Sequence, residues 1–192
     1  MKYRKNRIII LNVLFQLIIC GCTNSQCIQN EIDNLKSEYI SLNLDSMQKG
    51  LDLISSNREQ VTQNSYTYIK YISSIQCSSC VIKSLRDWIR LQDIFDICNE
   101  LSLIIIIHPK DYQTKRIIDE FKTDTIMLEN VYLDTIGVFE RVNTFLPKNT
   151  YLHSFLVDDR GKVLIVGDPT CDEIVEGELR NFIHNKFNAL NK

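Results

Sequence analysis

Apolar and polar positions divide the chain into stretches with different periods. An apolar run from Ile8 to Cys20 is broken only by Asn12 and Gln16, and the polar stretch 23–34 has no apolar period. In 35–60, Ile40, Leu42 and Leu44 alternate as in a strand, after which Met47, Leu51 and Ile54 fit helical spacing. This segment is expected to be a lead-in that packs on the following domain. Tyr66–Ser73 (YTYIKYIS) is rich in aromatic and β-branched residues and predicts a strand. Val81, Leu85, Trp88, Ile89, Phe95 and Cys98 form a stripe that predicts a helix over 79–99. Leu101–His108 (LSLIIIIH) is a continuous apolar run, as in a parallel strand covered on both faces, and Pro109 ends it.

Further on, 111–122 predicts a short helix burying Ile117, Ile118 and Phe121; 131–133 predicts a brief strand; and 135–146 a helical or irregular crossover. Ser154–Val157 and Lys162–Val166 flank Asp158-Asp159-Arg160-Gly161, a hairpin signal with its glycine late in the loop. Thr170 and Glu173 have the spacing of an N-cap and its capping-box partner. The helix they would open carries Val175, Leu179, Phe182, Ile183 and Phe187 toward the core. The order is strand, helix, strand, helix, crossover, hairpin, helix, which predicts an α/β domain.

The start of the chain reads as an address. Lys2, Arg4, Lys5 and Arg7, without an acid, precede the first apolar run in the pattern of a secretory signal peptide. That run is shorter than the ~20 residues a membrane-spanning helix needs. It ends in Ile19-Cys20-Gly21-Cys22, which resembles a bacterial lipobox. The resemblance implies cleavage before Cys22 and acylation of that residue, anchoring the protein to a membrane. The expected organisation is a signal peptide over 1–21, a tether and lead-in over 22–58, and a folded domain over 59–192. Composition narrows the picture further. The 192 residues are 44% hydrophobic and 24% charged, which excludes disordered and collagen-like classes. Net charge is −2 and falls to −6 once the four signal-peptide cations are removed, so no nucleic-acid partner is expected.

Seven cysteines carry the candidate chemistry. Cys77-Ser78-Ser79-Cys80 lies between a predicted strand and a predicted helix. Two cysteines three apart at a helix start can close a small disulfide, and the helix dipole favours a thiolate there. The thiolate attacks a substrate disulfide and the second cysteine resolves the mixed species. Of the others, Cys20 leaves with the signal, Cys27 lies in the tether, Cys98 reads as a core residue, and Cys171 falls at the start of the last helix. No phosphate loop, GxGxxG, HExxH or GxSxG motif occurs, and no cofactor is expected.

With YTYIKYISSIQCSSC, LSLIIIIHPKD and SFLVDDRGKVLIVGDP in place, residues 60–190 resemble the thioredoxin superfamily, especially membrane-anchored bacterial thiol–disulfide oxidoreductases of the redoxin type. The resemblance implies a central mixed β-sheet flanked by helices, with Cys77 the nucleophile and Cys80 the resolving cysteine. It also implies envelope protein thiols and disulfides as partners, a membrane electron donor, and a lipid-anchored location facing the periplasm. The sequence departs from the family at two points: Gln76 replaces the usual aromatic residue, and Leu152 or His153 occupies the usual cis-proline position, with Pro147 about five residues earlier. Gln76, Leu152 and His153 are therefore candidate site contacts. The implied topology gathers Cys77, Cys80, His108, His153 and Cys171 at one end of the sheet. Two other readings stay open: a binding lipoprotein with a structural CxxC disulfide, and a Cu(I) metallochaperone using Cys77, Cys80 and His153.

Overall fold

A computed structural model describes residues 25–50, 65–76, 87–88, 100–123 and 130–187. The signal peptide, Cys22, Cys77, Cys80, Cys98, most of the helix expected over 79–99, the second half of the lead-in and the Phe121 side chain lie outside the described residues. Two compact units are distinguished, one ending at Asn34 and one running from Leu35 to Lys192. Residues 25–37 are helical (α1). The sequence reads as a tether through most of that helix. Its polar side chains support one another locally, as where Gln29 Nε2 donates to Asp33 Oδ1 one turn on at 2.9 Å.

The unit from Leu35 is built on six strands: β1 (Gln48–Lys49), β2 (Tyr66–Ile72), β3 (Leu101–Ile107), β4 (Val131–Leu133), β5 (Ser154–Asp158) and β6 (Val163–Val166). Their spatial order is β1-β4-β3-β2-β5-β6. β2, β3 and β4 are parallel, whereas β1, β5 and β6 each run antiparallel to the neighbour they pair with. The described helices of this unit are α2 (Thr114–Thr123), α3 (Val138–Val142) and α4 (Glu173–Phe187). The mixed sheet with helices on its faces is the expected α/β arrangement. The strand order and directions agree with the mixed sheet flanked by helices that the resemblance implies.

Alternation along the central strands sorts side chains between two buried faces. Tyr68 and Ile72 of β2 share one face with Leu103, Ile105 and Ile107 of β3, where Trp88, Ile117, Val175 and Leu179 cover them. Phe182, Ile183 and Phe187 of α4 pack at the margin of this cluster. Ile69 and Tyr71 occupy the opposite face, where the Phe139 ring of α3 lies 4.6 Å from that of Tyr71. Both faces are filled, and so β3 is apolar at every position but Ser102.

The lead-in packs on this unit at three places. Ile40 N donates to Gly161 O at 2.8 Å, Asn143 exchanges hydrogen bonds with Ser41 N and O at 2.8 and 2.9 Å, and Gln48–Lys49 extends the sheet beside β4. Leu35 and Ile40 are buried as a result. The expected strand through Ile40, Leu42 and Leu44 is reduced to a single bridge, Tyr39 to Lys162, followed by a 3-10 turn at Leu44–Ser46. The hairpin loop closes as its sequence suggests, with Asp158 Oδ1 accepting from Arg160 N and Lys162 N. Gly161 has φ +82, and a Cβ there would stand 2.3 Å from Ile40 O. Gly161→Ala is therefore expected to cost about 2 kcal/mol or more in urea unfolding, because a positive φ is strained and the lead-in must shift. A change below about 0.5 kcal/mol, typical of an unremarkable surface position, would contradict this.

The expected capping box at Thr170 is corrected. The last helix starts at Glu173, and Asp172 caps it, its carboxylate accepting from Ile174 N at 2.9 Å and Val175 N at 3.3 Å. Thr170 turns back to Asp168 instead, through both its N–H and its hydroxyl. Cys171 accordingly lies in the turn before α4 and not in its first turn.

Candidate functional site at the carboxyl edge of the sheet

The strand directions determine which loops meet. β2, β3 and β4 end at one edge, β5 begins there, and β6 returns to it. Residues 73–76, 108–112, 134–137, 150–153 and 167–172 therefore share this edge. Gln76, His108, Leu152, His153 and Cys171 are all on these segments. Cys77 and Cys80, which follow Gln76 in the chain, are outside the described residues.

β2 is closed by a turn that Gln76 holds. Gln76 N donates to Ser73 O at 3.0 Å, and Ser73 N donates to Gln76 Oε1 at 2.9 Å. The amide at this position thus serves the backbone, something an aromatic ring could not do. Ile75 beside it is exposed.

On the other side of β2, a 3-10 turn at Thr150–Leu152 delivers His153 to the start of β5. Asn149 caps that turn by accepting from Tyr151 N. Leu152 is buried, and so is His153. His153 Nε2 donates to Pro147 O at 2.8 Å, which places the ring proton on that nitrogen and leaves Nδ1 as an acceptor. Pro147, about five residues before the position where the resemblance expects a cis-proline, thus holds His153 through its carbonyl. Burial, the largest influence, pushes the His153 imidazole below its ordinary pKa; Lys70 adds to this, while the Pro147 hydrogen bond and Glu140 oppose it.

The sign of the resulting pH dependence follows. The neutral ring is favoured in the folded state, so His153's contribution is fully present above the unfolded value near 6.5 and is lost as pH falls below it. Urea midpoints are expected to drop between pH 7.5 and 5.5 by more in the parent chain than in His153→Asn. Parallel slopes for the two proteins would contradict this.

Tyr71 connects the histidines. Its ring centroid is 5.6 Å from that of His153, and its hydroxyl lies 3.3 Å from His108 Nδ1. Burial first, then the charge and hydrogen bond of Glu140, hold the phenol well above its ordinary pKa. Gly137 makes room for the His108 imidazole: it has φ +67, and a Cβ would stand 2.8 Å from His108 Cε1. Asp134, fully buried, fixes the loop by accepting from Val138 N and Phe139 N at 2.8 Å each.

A buried ion pair closes the edge on the opposite face. Lys70 Nζ meets Asp168 Oδ2 at 2.5 Å and Ser154 Oγ at 3.1 Å. Asp168 Oδ1 accepts from Thr170 Oγ1, which in turn lies 3.4 Å from the exposed Cys171 Sγ. Lys70, Tyr71, Ser73, Asp134 and Asp168 are not prominent in the sequence. A lysine at a core-facing position of YTYIKYIS is the one available signal, since a buried ammonium requires a partner. Among the described residues, no group of three or more His, Cys, Asp or Glu is placed to hold a metal ion. Among them, too, no helix is long and apolar enough to cross a membrane.

No protein-family model and no curated protein matches the chain. Three solved structures are similar to it. One is a protein of Chlorobium tepidum named a thiol:disulfide interchange protein, DsbE, with 19% identity and a TM-score of 0.46 over 63% of this chain and 82% of that one. Another is the exposed lipoprotein thioredoxin Etrx1 of Streptococcus pneumoniae, with 14% identity and a TM-score of 0.39 over 60% and 86%. The thioredoxin domain of a thiol-disulfide oxidoreductase of Bacteroides vulgatus has 16% identity and a TM-score of 0.40 over 61% and 81%.

Proposed function

We propose that the chain is a thiol–disulfide oxidoreductase of the cell envelope that exchanges disulfides through Cys77 and Cys80 and is tethered to a membrane by lipid on Cys22. The observation that carries this reading is the position of CSSC in the chain. It follows in sequence directly on the Ser73–Gln76 turn that closes the central strand β2, and that turn lies at the edge shared by His108, His153 and Cys171. In the proposed mechanism, the Cys77 thiolate attacks a substrate disulfide sulfur, releasing one substrate thiolate and leaving a mixed disulfide. Cys80 then attacks Cys77 Sγ, releasing the second substrate thiolate and closing Cys77–Cys80. The substrate is reduced by two electrons and the CxxC pair oxidised by two, so a reductant must regenerate the dithiol. A membrane thiol electron donor fills that role in this reading.

Timed alkylation of the reduced chain tests the proposal. Cys27 and Cys171 are both exposed, so they calibrate what accessibility alone gives. Cys77 is expected to react faster than either at neutral pH, as a low-pKa thiol does. Equal, slow labelling of all cysteines would overturn the reading. A Cys77–Cys80 reduction potential below about −300 mV would instead favour a structural disulfide.

A further inference from the structure

One stretch of chain touches both margins of the sheet. At β6, Val163 N donates to Glu38 O at 3.3 Å and Ile40 N to Gly161 O at 2.8 Å. Tyr39 bridges Lys162 there, with the ammonium 4.8 Å from its ring centroid. At the far side Gln48–Lys49 forms β1 against β4, and Gly50 N donates to Val131 O at 2.7 Å. Between these ends the chain passes from one margin to the other, and none of residues 41–49 is buried. The crossing is held at Asn143, 1% exposed, whose Oδ1 accepts from Ser41 N while its Nδ2 donates to Ser41 O. The same Nδ2 donates to Phe139 O at 2.8 Å, so the residue that grips the crossing also closes the last turn of α3.

We propose that Glu38–Gly50 is a strap that opens as a unit, and that Asn143 couples its opening, through α3, to the edge that carries His108 and His153. The contacts favour a local opening. A segment with few buried apolar contacts separates from a domain at less cost than global unfolding. Within this fully described segment, Ile40 is the one large apolar side chain that is buried. The coupling follows from what α3 carries. That helix is five residues long, with Asp134 holding its first turn and Asn143 its last. Its Phe139 ring packs 4.6 Å from that of Tyr71, which in turn contacts the His153 ring and His108 Nδ1. With the strap closed, Asn143 is gripped from both sides and α3 keeps Phe139 against Tyr71. With it open, Asn143 loses both bonds to Ser41, and the last turn of α3 loosens. A coupling free energy is reciprocal, so whatever tightens α3 against Tyr71 also holds the strap shut. The strap thus gives the N-terminal part of the chain a means of acting on the edge, independently of the exchange reading above.

Native-state hydrogen exchange of the full chain, read by NMR, tests both parts. The amides of Ile40, Ser41, Gly50 and Val163 all bond across the strap. They are expected to share one protection factor, at least about tenfold below that of the β2 and β3 amides. Protection equal to that of β2 and β3 would mean that the segment opens only with the whole domain, and overturns the strap. Ser41→Pro removes the N–H given to Asn143 without touching the edge. With β2 and β3 protection retained as the sign of a folded variant, it is expected to lower strap protection about tenfold. It is also expected to lower protection of the Arg141 and Asn143 amides of α3 and to shift the imidazole signals of His108 and His153. Phe139→Leu, which loosens α3 at its other end, is expected to lower strap protection in turn. If strap protection falls in Ser41→Pro while the α3 amides and both imidazoles stay at their parent values, the coupling is overturned. Unchanged strap protection in Phe139→Leu overturns it equally.

Discussion

Cys77→Ser is expected to abolish disulfide exchange, whereas Cys80→Ser is expected to stop it halfway. Exchange needs a thiolate, and a serine hydroxyl is not ionised at neutral pH and does not form the mixed disulfide. The Cys77→Ser chain should therefore fall to the rate of buffer alone. Cys80→Ser keeps the attacking thiol and loses only the group that resolves the intermediate. It should accumulate a covalent adduct with a disulfide substrate, visible by mass spectrometry as chain plus one substrate half. A structural disulfide gives a different result. Either substitution would then open the same four-residue loop, for a loss of about 2 kcal/mol on the chain-entropy account, and neither would trap an adduct. Equivalent behaviour of the two variants thus refutes the exchange mechanism, and adduct formation by Cys80→Ser alone supports it.

How much of this was legible beforehand varies by element, for physical reasons. β2, β3 and the β5–β6 hairpin could be read because their residues obey one local rule each: β-branched and aromatic enrichment, a run apolar on both faces, and a turn whose glycine takes a positive φ. The helix over 25–37 could not, because its polar sequence has no apolar stripe to give it a period. The last helix was legible in its body and not in its cap. Thr170 and Asp172 both have side chains that can cap, and the choice depends on Asp168, which engages Thr170 and leaves Asp172 to serve the helix. The shared edge of His108, His153 and Cys171 follows from strand order, which the family resemblance implied. The supports around it do not, because Gln76 holding Ser73, Pro147 holding His153 and Gly137 admitting His108 each depend on a loop conformation that no periodicity encodes.

Lys70 and Asp168 are the clearest case of a long-range dependence, and Asp168→Ala is expected to be the most destabilising single substitution in the described part of the domain. The lysine is 98 positions away in sequence, at a core-facing position of the central strand, with its side chain 11% exposed. Removing the carboxylate leaves an ammonium with Ser154 Oγ as its remaining described partner, and an uncompensated buried charge costs about 3–5 kcal/mol. The Asp168–Thr170 turn that leads into α4 is lost as well. For a chain of this size that corresponds to a fall in Tm of roughly 10 °C. Lys70→Met should cost less, because the carboxylate it leaves behind keeps two hydrogen bonds from Thr170, whereas the ammonium left by Asp168→Ala keeps one, to Ser154. Combining the two distinguishes a charge effect from a packing effect. If the buried ammonium is the source of the loss, Lys70→Met in the Asp168→Ala background should recover part of the lost stability, a strongly non-additive result. Additive losses would show that Asp168 acts through its turn and that the ion pair contributes little.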